Sequence, residues 1–300
     1  MMFNFLHTLL GNKLDRQLKQ YAKEKRKRLL IPWNRGLGDI ALGLYVFVCR
    51  IRTFIPDAHI TFITRKELED GFRLIAGVSV IGVPWWQRGV PVELHRTLEK
   101  LNIPADAFDA VMDRVNPTRW LSWQIGKVVP RLQWSSEYDS LCERFNLGGG
   151  RRYIGVHVSS ETAQFYGYQK DWPADCWNKL FKQLAGRKDC NIILFGNTKS
   201  SDFGSAGILD LRGETSLLEM LSIIKNCCLV LIAPDGGVLS IAYYLDTYFP
   251  MKVISLWGDA GQGVLKQNVP SPNKGLTHKP LIGDNGVISN ISVDAVLAEI

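Results

Sequence analysis

The strongest constraint on the fold is a twice-run alternation of short apolar segments with amphipathic ones, broken once by glycine. The first series offers strands at 29–33 (LLIPW), 59–64 (HITFIT), 78–83 (VSVIGV) and 108–112 (FDAVM), with helices near 39–53, 65–76 and 92–101. A Trp-rich stretch, 117–146, reads as mostly helical. Gly148, Gly149 and Gly150, followed by Arg151 and Arg152, read as a linker. The second series offers strands at 153–158, 191–195, 208–211, 228–233 and 252–257, and helices near 174–186, 216–226, 238–246 and 293–299. Strands separated by helices of this length read as βαβ units and parallel sheets. The expected fold class is therefore α/β, with two Rossmann-like domains, 29–150 and 151–300, behind an N-terminal segment 1–28. Ligands in such sheets bind at the carboxyl ends of the strands, so a cleft between the domains is the expected site.

Length and composition agree. Three hundred residues suit two domains, and 46% hydrophobic with 22% charged residues is ordinary globular usage. No apolar run is long enough for a transmembrane helix, and the N-terminus lacks the small-residue cleavage pattern of a signal peptide. Six scattered cysteines without a CxxC suggest neither a zinc ribbon nor a disulfide framework.

The net charge of +7 is concentrated rather than spread. Residues 1–30 hold eight basic and two acidic side chains, so the other 270 residues carry only +1. That distribution argues against a nucleic-acid partner, whose binding domain would carry the charge on one face. Leu6, Leu10, Leu14 and Leu18 recur at helical spacing, flanked by Phe3 and Tyr21. Lys13, Arg16, Lys19 and Lys23 lie elsewhere around the helix. Such a basic amphipathic helix, interrupted by Gly11, has two readings. It docks on an anionic membrane surface, or it packs its leucines on its own domain.

Three loops could carry chemistry. Asn34-Arg35-Gly36-Leu37-Gly38-Asp39 follows a strand and opens a helix. Its glycines allow close backbone approach to a ligand. The spacing is not the dinucleotide fingerprint, because the third glycine, Gly43, comes two residues late. No acidic residue ends the second strand, where Thr64, Arg65 and Lys66 stand. A nicotinamide oxidoreductase is thereby disfavoured. Asp39 is either a helix cap or a general base. Asp235-Gly236-Gly237 is a second strand-to-helix turn, readable as a pyrophosphate cradle or as a plain tight turn. Lys170-Asp171-Trp172-Pro173 is the third: Pro173 suits a helix start, and Lys170 can meet a phosphate. There is no GxSxG elbow, P-loop, HExxH or DxD pair, and the five histidines show no metal-ligand spacing. His157, at a strand end, is the best placed of them.

In order and spacing these segments resemble the heptosyltransferase-like glycosyltransferases of family 9, which have the GT-B fold. The first strand with Gly38-Asp39 resembles that family's opening GD motif, and FIPDAHITFIT its second unit. IGVHVSS and KDWPADCWNKLFKQL resemble its strand, loop and K-x-W-P helix start. LRGETSLLEMLSIIKNCCLVLIAPDGGVLSIAYYL resembles its G-x-T-S-L and D-(S/T)-G-x-x-H-L-A segments, and VISLWGDA its V-x-L-F-G-P-T.

The resemblance implies inverting, metal-independent transfer of a sugar, usually a heptose. The donor is a nucleotide-diphosphate sugar, ADP-heptose being one candidate, and no separate cofactor is needed. The acceptor is a lipopolysaccharide-core or similar glycan. By the same resemblance 29–150 is the acceptor domain and 151–300 the nucleotide-sugar donor domain, and Asp39 is the catalytic base, with Gly36 and Gly38 in the acceptor-side loop. Lys170, Asp235, Gly236, Gly237, Ser240, Ser159 and Gly196 line the donor. It implies a cytoplasmic enzyme serving a lipid-linked or glycan acceptor, and the basic helix of residues 1–28, an extension that the usual family start lacks, would bring it to a bacterial inner membrane. Four departures stand out. Ser240 holds the position of the family's histidine and Gly236 that of a hydroxyl residue. Asn197 and Thr198 stand where a ribose-contacting acid is expected, and Asp259 replaces a proline. A non-heptose donor fits these changes. So does a second class of protein, a GT-B-fold sugar-nucleotide-binding or scaffold protein without turnover.

Overall fold

The computed structural model describes residues 12–116, 124–148, 153–160, 167–187, 191–199, 202–203 and 207–300. The N-terminal half of the basic helix (Phe3, Leu6, Leu10, Gly11), residues 117–123 of the Trp-rich stretch and most of the 148–152 linker lie outside them. The chain divides into two compact units, one of residues 1–35 and 42–128 and one of residues 36–41 and 129–300.

The first unit carries a four-stranded parallel sheet, β1 (Arg28–Trp33), β2 (His59–Arg65), β3 (Val78–Val83) and β4 (Ala110–Val111), in the order β3-β2-β1-β4. The strand expected over 108–112 shortens to two residues. Asp109 instead turns its carboxylate on the amides of Lys27 and Arg28 and on the Arg28 guanidinium. Helix α1 (Lys13–Lys23) is capped by Asn12, whose side chain accepts from the Asp15 amide. Its Leu14 and Leu18 are fully buried. Asp15 holds both nitrogens of an Arg50 fork at 2.8 and 2.6 Å, tying α1 to α2 (Tyr45–Phe54). In its described part the amphipathic helix therefore spends its apolar face on its own unit. Lys13, Arg16, Lys19 and Lys23 stay exposed. Two short helices, α3 (Glu69–Arg73) and α4 (Leu94–Lys100), complete the unit. Leu30, Ile63, Val83, Trp86 and Leu98 form one core cluster under α4.

The second unit is built on six parallel strands: β5 (Tyr153–His157), β6 (Asn191–Phe195), β7 (Ile208–Asp210), β8 (Cys228–Pro234), β9 (Met251–Trp257) and β10 (Leu276–Ile282). Their order is β10-β9-β8-β5-β6-β7. The chain direction across the sheet reverses between β5 and β8, which makes that pair the topological switch point. The helices are α5 (Ala174–Ala185), α6 (Leu217–Cys227), α7 (Gly237–Tyr243), α8 (Gly263–Gln267) and α9 (Val293–Leu297). Trp177, Leu180, Phe181 and Leu184 of α5 repeat at helical spacing and are buried against Ile154, Val156, Ile192 and Leu194 of the sheet. Helix α6 opens on a capping box between Ser216 and Glu219.

The boundary falls at Val128–Val129 rather than at the glycine run. Leu132 bridges Leu245, and Arg131 pairs with Asp246. The 3-10 helix Ser136–Phe145 lies along α6, where the Ser222 hydroxyl accepts from the Cys142 amide and Lys225 meets Asp139. These contacts bind 129–148 to the second unit whatever the composition of the run that follows. The stretch expected to be mostly helical is helical, among its described residues, chiefly over 136–145 and as 3-10.

Candidate functional site

The second unit gathers several of the sequence-selected residues at the carboxyl ends of β5, β8 and β9. Strand β8 delivers Asp235, and Gly236 caps α7 in an extended conformation. The loop before α5 delivers Lys170, whose Nζ donates to Asp235 Oδ2 at 2.5 Å. Both side chains are mostly covered, at 21% and 11% exposure. A cavity of about 180 Å³ opens on this pair, with Tyr168, Gly258, Asp259 and Gln262 among its walls. An ammonium has three N–H donors. One meets Asp235, which leaves the others for a ligand at the cavity.

The backbone around the pair is fitted closely. A Cβ on Gly263, whose φ is +51°, would fall 2.4 Å from Asp235 Oδ1 and 2.8 Å from the Trp257 ring. Only glycine fits there, and it was not among the residues selected from sequence. Asp259, in the position of the family's proline, shapes its own turn. Oδ1 accepts from the Gly261 amide at 2.7 Å and Oδ2 from the Gln262 amide group at 3.0 Å. The Gly261 bond foremost holds the Asp259 carboxyl below its ordinary range. Hydrogen bonds here do the turn-setting work that a fixed φ does in proline.

The acceptor-side loop joins the same unit. Residues 36–41 cluster with residues 129–300, and the loop abuts the start of α7. A Cβ on Gly237 would lie 2.7 Å from Leu37 Cβ and 3.0 Å from the Gly38 nitrogen. The two glycine turns thus press against each other with no space for a methyl group on the Gly237 side. Asp39, half-buried, is the next residue, and a π-helical turn, Ile40–Leu44, follows it directly. Such turns are rare and occur often at functional sites.

The neighbouring loop after β5 is anchored by Asp171. Its Oδ1 accepts from the Ser160 amide at 2.7 Å, and burial pushes its carboxyl up to about 6. Ser160 is buried 3.5 Å from where a Gly236 side chain would start, with the half-buried Ser159 beside it in sequence. Ser240, in the histidine position, is also buried, and its Oγ donates to the Gly236 carbonyl at 3.1 Å. Gly196 follows β6, next to the end of β5. It faces the buried Arg212, which forks onto Asp210. His157 is buried at the end of β5, and burial pushes it down to about 4, so it is neutral near pH 7. Among the described residues no group of three or more His, Cys, Asp or Glu side chains could hold a metal ion, and no helix is long and apolar enough to cross a membrane.

Comparison with known proteins agrees with this layout. Residues 130–272 match the family model of glycosyltransferase family 9 (heptosyltransferase). Three solved structures share the fold. The E. coli ADP-heptose lipopolysaccharide heptosyltransferase II is 20% identical, with a TM-score of 0.58, over 91% of this chain and 97% of its own. The family 9 glycosyltransferase from Veillonella parvula is 14% identical, with a TM-score of 0.62, over 91% and 96%. The E. coli heptosyltransferase WaaC, solved with ADP-2-deoxy-2-fluoro heptose, is 15% identical, with a TM-score of 0.56, over 91% and 98%. No curated protein sequence matches the chain. The resemblance to family 9 read from the sequence is borne out over residues 130–272, and the likeness to the solved structures shows the fold.

Proposed function

From the family 9 glycosyltransferase domain over residues 130–272, we propose that this chain transfers a sugar of the heptose type from a nucleotide-diphosphate donor to a glycan acceptor, with inversion and without a metal ion. The observation that carries the reading is the Lys170–Asp235 pair on an open cavity at the switch-point end of the second sheet. Donors with a nucleoside diphosphate are what related folds have been solved with, ADP and an ADP-heptose analogue in WaaC.

In this reading Asp39 takes the proton of an acceptor hydroxyl as that oxygen attacks the anomeric carbon. The bond from the anomeric carbon to the donor phosphate breaks, and the nucleoside diphosphate leaves. Lys170 meets its growing charge. Asp235, Gly236 and Gly237 form the donor-side turn. Four exposed cations on α1 carry the remaining part of the reading, attraction to an anionic membrane surface at about 1 kcal/mol each. Because Leu14 and Leu18 are buried in the first unit, binding through α1 rests on charge and falls as salt rises.

The test begins with thermal shifts against ADP-, UDP-, GDP- and CDP-sugars, with NAD as control. A native-state ligand raises the melting temperature by mass action. One nucleotide class should shift it, and Asp39→Asn should keep that shift while cutting turnover by about 10²–10⁴-fold. Turnover within a few-fold of the parent removes Asp39 as base. A second reading, a sugar-nucleotide-binding protein without turnover, is favoured by Ser240. Its hydroxyl is buried on the Gly236 carbonyl, where the family has an imidazole. Donor binding without transfer or hydrolysis selects that reading.

A further inference from the structure

Two thiols meet where the 3-10 helix Ser136–Phe145 lies along α6. Cys142 comes from the first element and Cys227 ends the second. Both are free and half-buried, and their side chains are hydrogen-bonded to each other. More than 80 residues of sequence separate them, so no local motif announces the pair. The proposed sugar transfer uses neither.

Polar groups around the thiols hold them in place. The Cys142 amide donates to Ser222 Oγ at 3.1 Å, and that hydroxyl donates in turn to the Asp139 carbonyl at 3.0 Å. The same carbonyl accepts from Asn226 Nδ2 at 3.1 Å, and Lys225 Nζ reaches Asp139 Oδ1 at 2.7 Å. The turn that carries Cys142 is thereby fixed on the last turns of α6, up to the residue before Cys227. Asn226 Nδ2 also donates to Cys142 Sγ at 3.9 Å. Cys228, though next in sequence, is turned elsewhere. It is buried, and a Cβ on Gly155 would lie 3.1 Å from its Sγ, so its thiol faces β5. The fold thus selects one pair out of three neighbouring cysteines.

We infer that Cys142 and Cys227 are a dithiol site that closes to a disulfide by exchange with a low-molecular-weight disulfide such as oxidised glutathione. The Cys142 thiolate attacks one sulfur of the small disulfide, forming a mixed disulfide and releasing one small thiolate. The Cys227 thiolate then attacks the Cys142 sulfur, forming the internal bond and releasing the second. The two protein thiols lose two electrons, the small disulfide gains them, and the two protons end on the two small thiols. Burial and the neighbouring Cys142 hold the Cys227 thiol above its ordinary range, which makes Cys227 the second of the two to act. Once Cys142 is capped in the mixed disulfide it carries no charge, and its share of that penalty vanishes for the closing step. The bond fastens the segment that follows the unit boundary to α6. It closes a long loop, the case in which a cross-link constrains the unfolded chain most. None of this chemistry depends on sugar transfer.

The test uses the full chain, equilibrated in glutathione buffers from fully reduced to fully oxidised. Oxidation should remove two hydrogens from the intact mass, and digestion without reductant should yield the Cys142 peptide joined to the Cys227 peptide. The oxidised chain should melt ~5 °C above the reduced one, the scale expected of a disulfide closing a long loop in a unit of this size. A dithiol reductant should reverse the rise. Cys142→Ser and Cys227→Ser should each lose the joined peptide and the rise, while Cys49→Ser, in the first unit, keeps both. An unmodified parent that keeps its reduced mass in oxidised glutathione overturns the inference, with no variant required to fold. So does a glutathione adduct on Cys142 that never closes, or a joined peptide that survives Cys227→Ser.

Discussion

Gly237→Ala is the sharpest probe of the contact between the two glycine turns. The added methyl would sit 2.7 Å from Leu37 Cβ, 3.0 Å from the Gly38 nitrogen and 3.0 Å from Leu37 Cγ. Carbon contacts are comfortable near 3.5–4.0 Å, so the 36–38 loop must retreat by about 1 Å. Overpacking of this kind costs about 1–3 kcal/mol. Alanine's better helix propensity returns up to ~1 kcal/mol of that, so the fold should survive with a melting temperature lowered by a few degrees. Asp39 adjoins Gly38 and moves with it. A misplacement of ~1 Å in a reacting group can cost about 10²-fold in rate. Gly38→Ala is the control. Its methyl would meet Gly237 Cα at 3.5 Å and nothing closer, an ordinary contact, so its turnover should stay within a few-fold. Thermal unfolding and steady-state transfer on the parent and both variants decide the matter. A Gly237→Ala variant at near-parent turnover, or equal damage from Gly38→Ala, refutes the argument.

Two further substitutions test the donor side. Lys170→Met should weaken donor binding ten-fold or more in calorimetry, and it also leaves the mostly covered Asp235 carboxylate unpaired. The double variant Lys170→Met with Asp235→Asn should recover the melting temperature but not the affinity; recovery of affinity would show that the lysine acts only as a partner for Asp235. Asp171→Asn keeps an acceptor for the Ser160 amide and removes a carboxyl raised from 3.8 to about 6 by burial. The raised group favours its protonated form in the folded state, so it destabilises above pH ~6 and ceases to do so below pH ~4. The interval corresponds to at most ~3 kcal/mol, and partial exposure reduces it to about 1 kcal/mol. The variant should therefore melt higher than the parent at pH 7.5 and lose that advantage by pH 4; a gap independent of pH would show that Asp171 is not the titrating group.

The sequence made the sheets legible because buried parallel strands are continuous apolar runs. Residues 59–64, 78–83, 191–195 and 252–257 all fall on observed strands. It missed β10 for the converse reason. LTHKPLI carries His278, Lys279 and Pro280, because an edge strand pairs on one side only and tolerates proline and charge. The donor-side turn was legible as a motif, Asp235-Gly236-Gly237 after a strand. Gly263 was not, since its need for glycine comes from Asp235 and Trp257, which only folding brings beside it.

The same distinction explains the boundary. A glycine run marks where a chain can bend, but where one unit ends depends on which surfaces bury against which. Leu132 on Leu245 and Asp139 under Lys225 settle that across more than 80 residues of sequence. Residues 36–41 are the stronger case. By sequence they belong to the first strand–helix unit, yet a turn with glycine at 36 and 38 has no side chain at those positions to keep it on its own sheet. It presses instead on a second turn that also lacks one, at Gly237. The 36–38 loop, a weak signal alone, accounts for the missing side chain at Gly237, because Leu37 and the Gly38 nitrogen occupy the space a methyl group there would need.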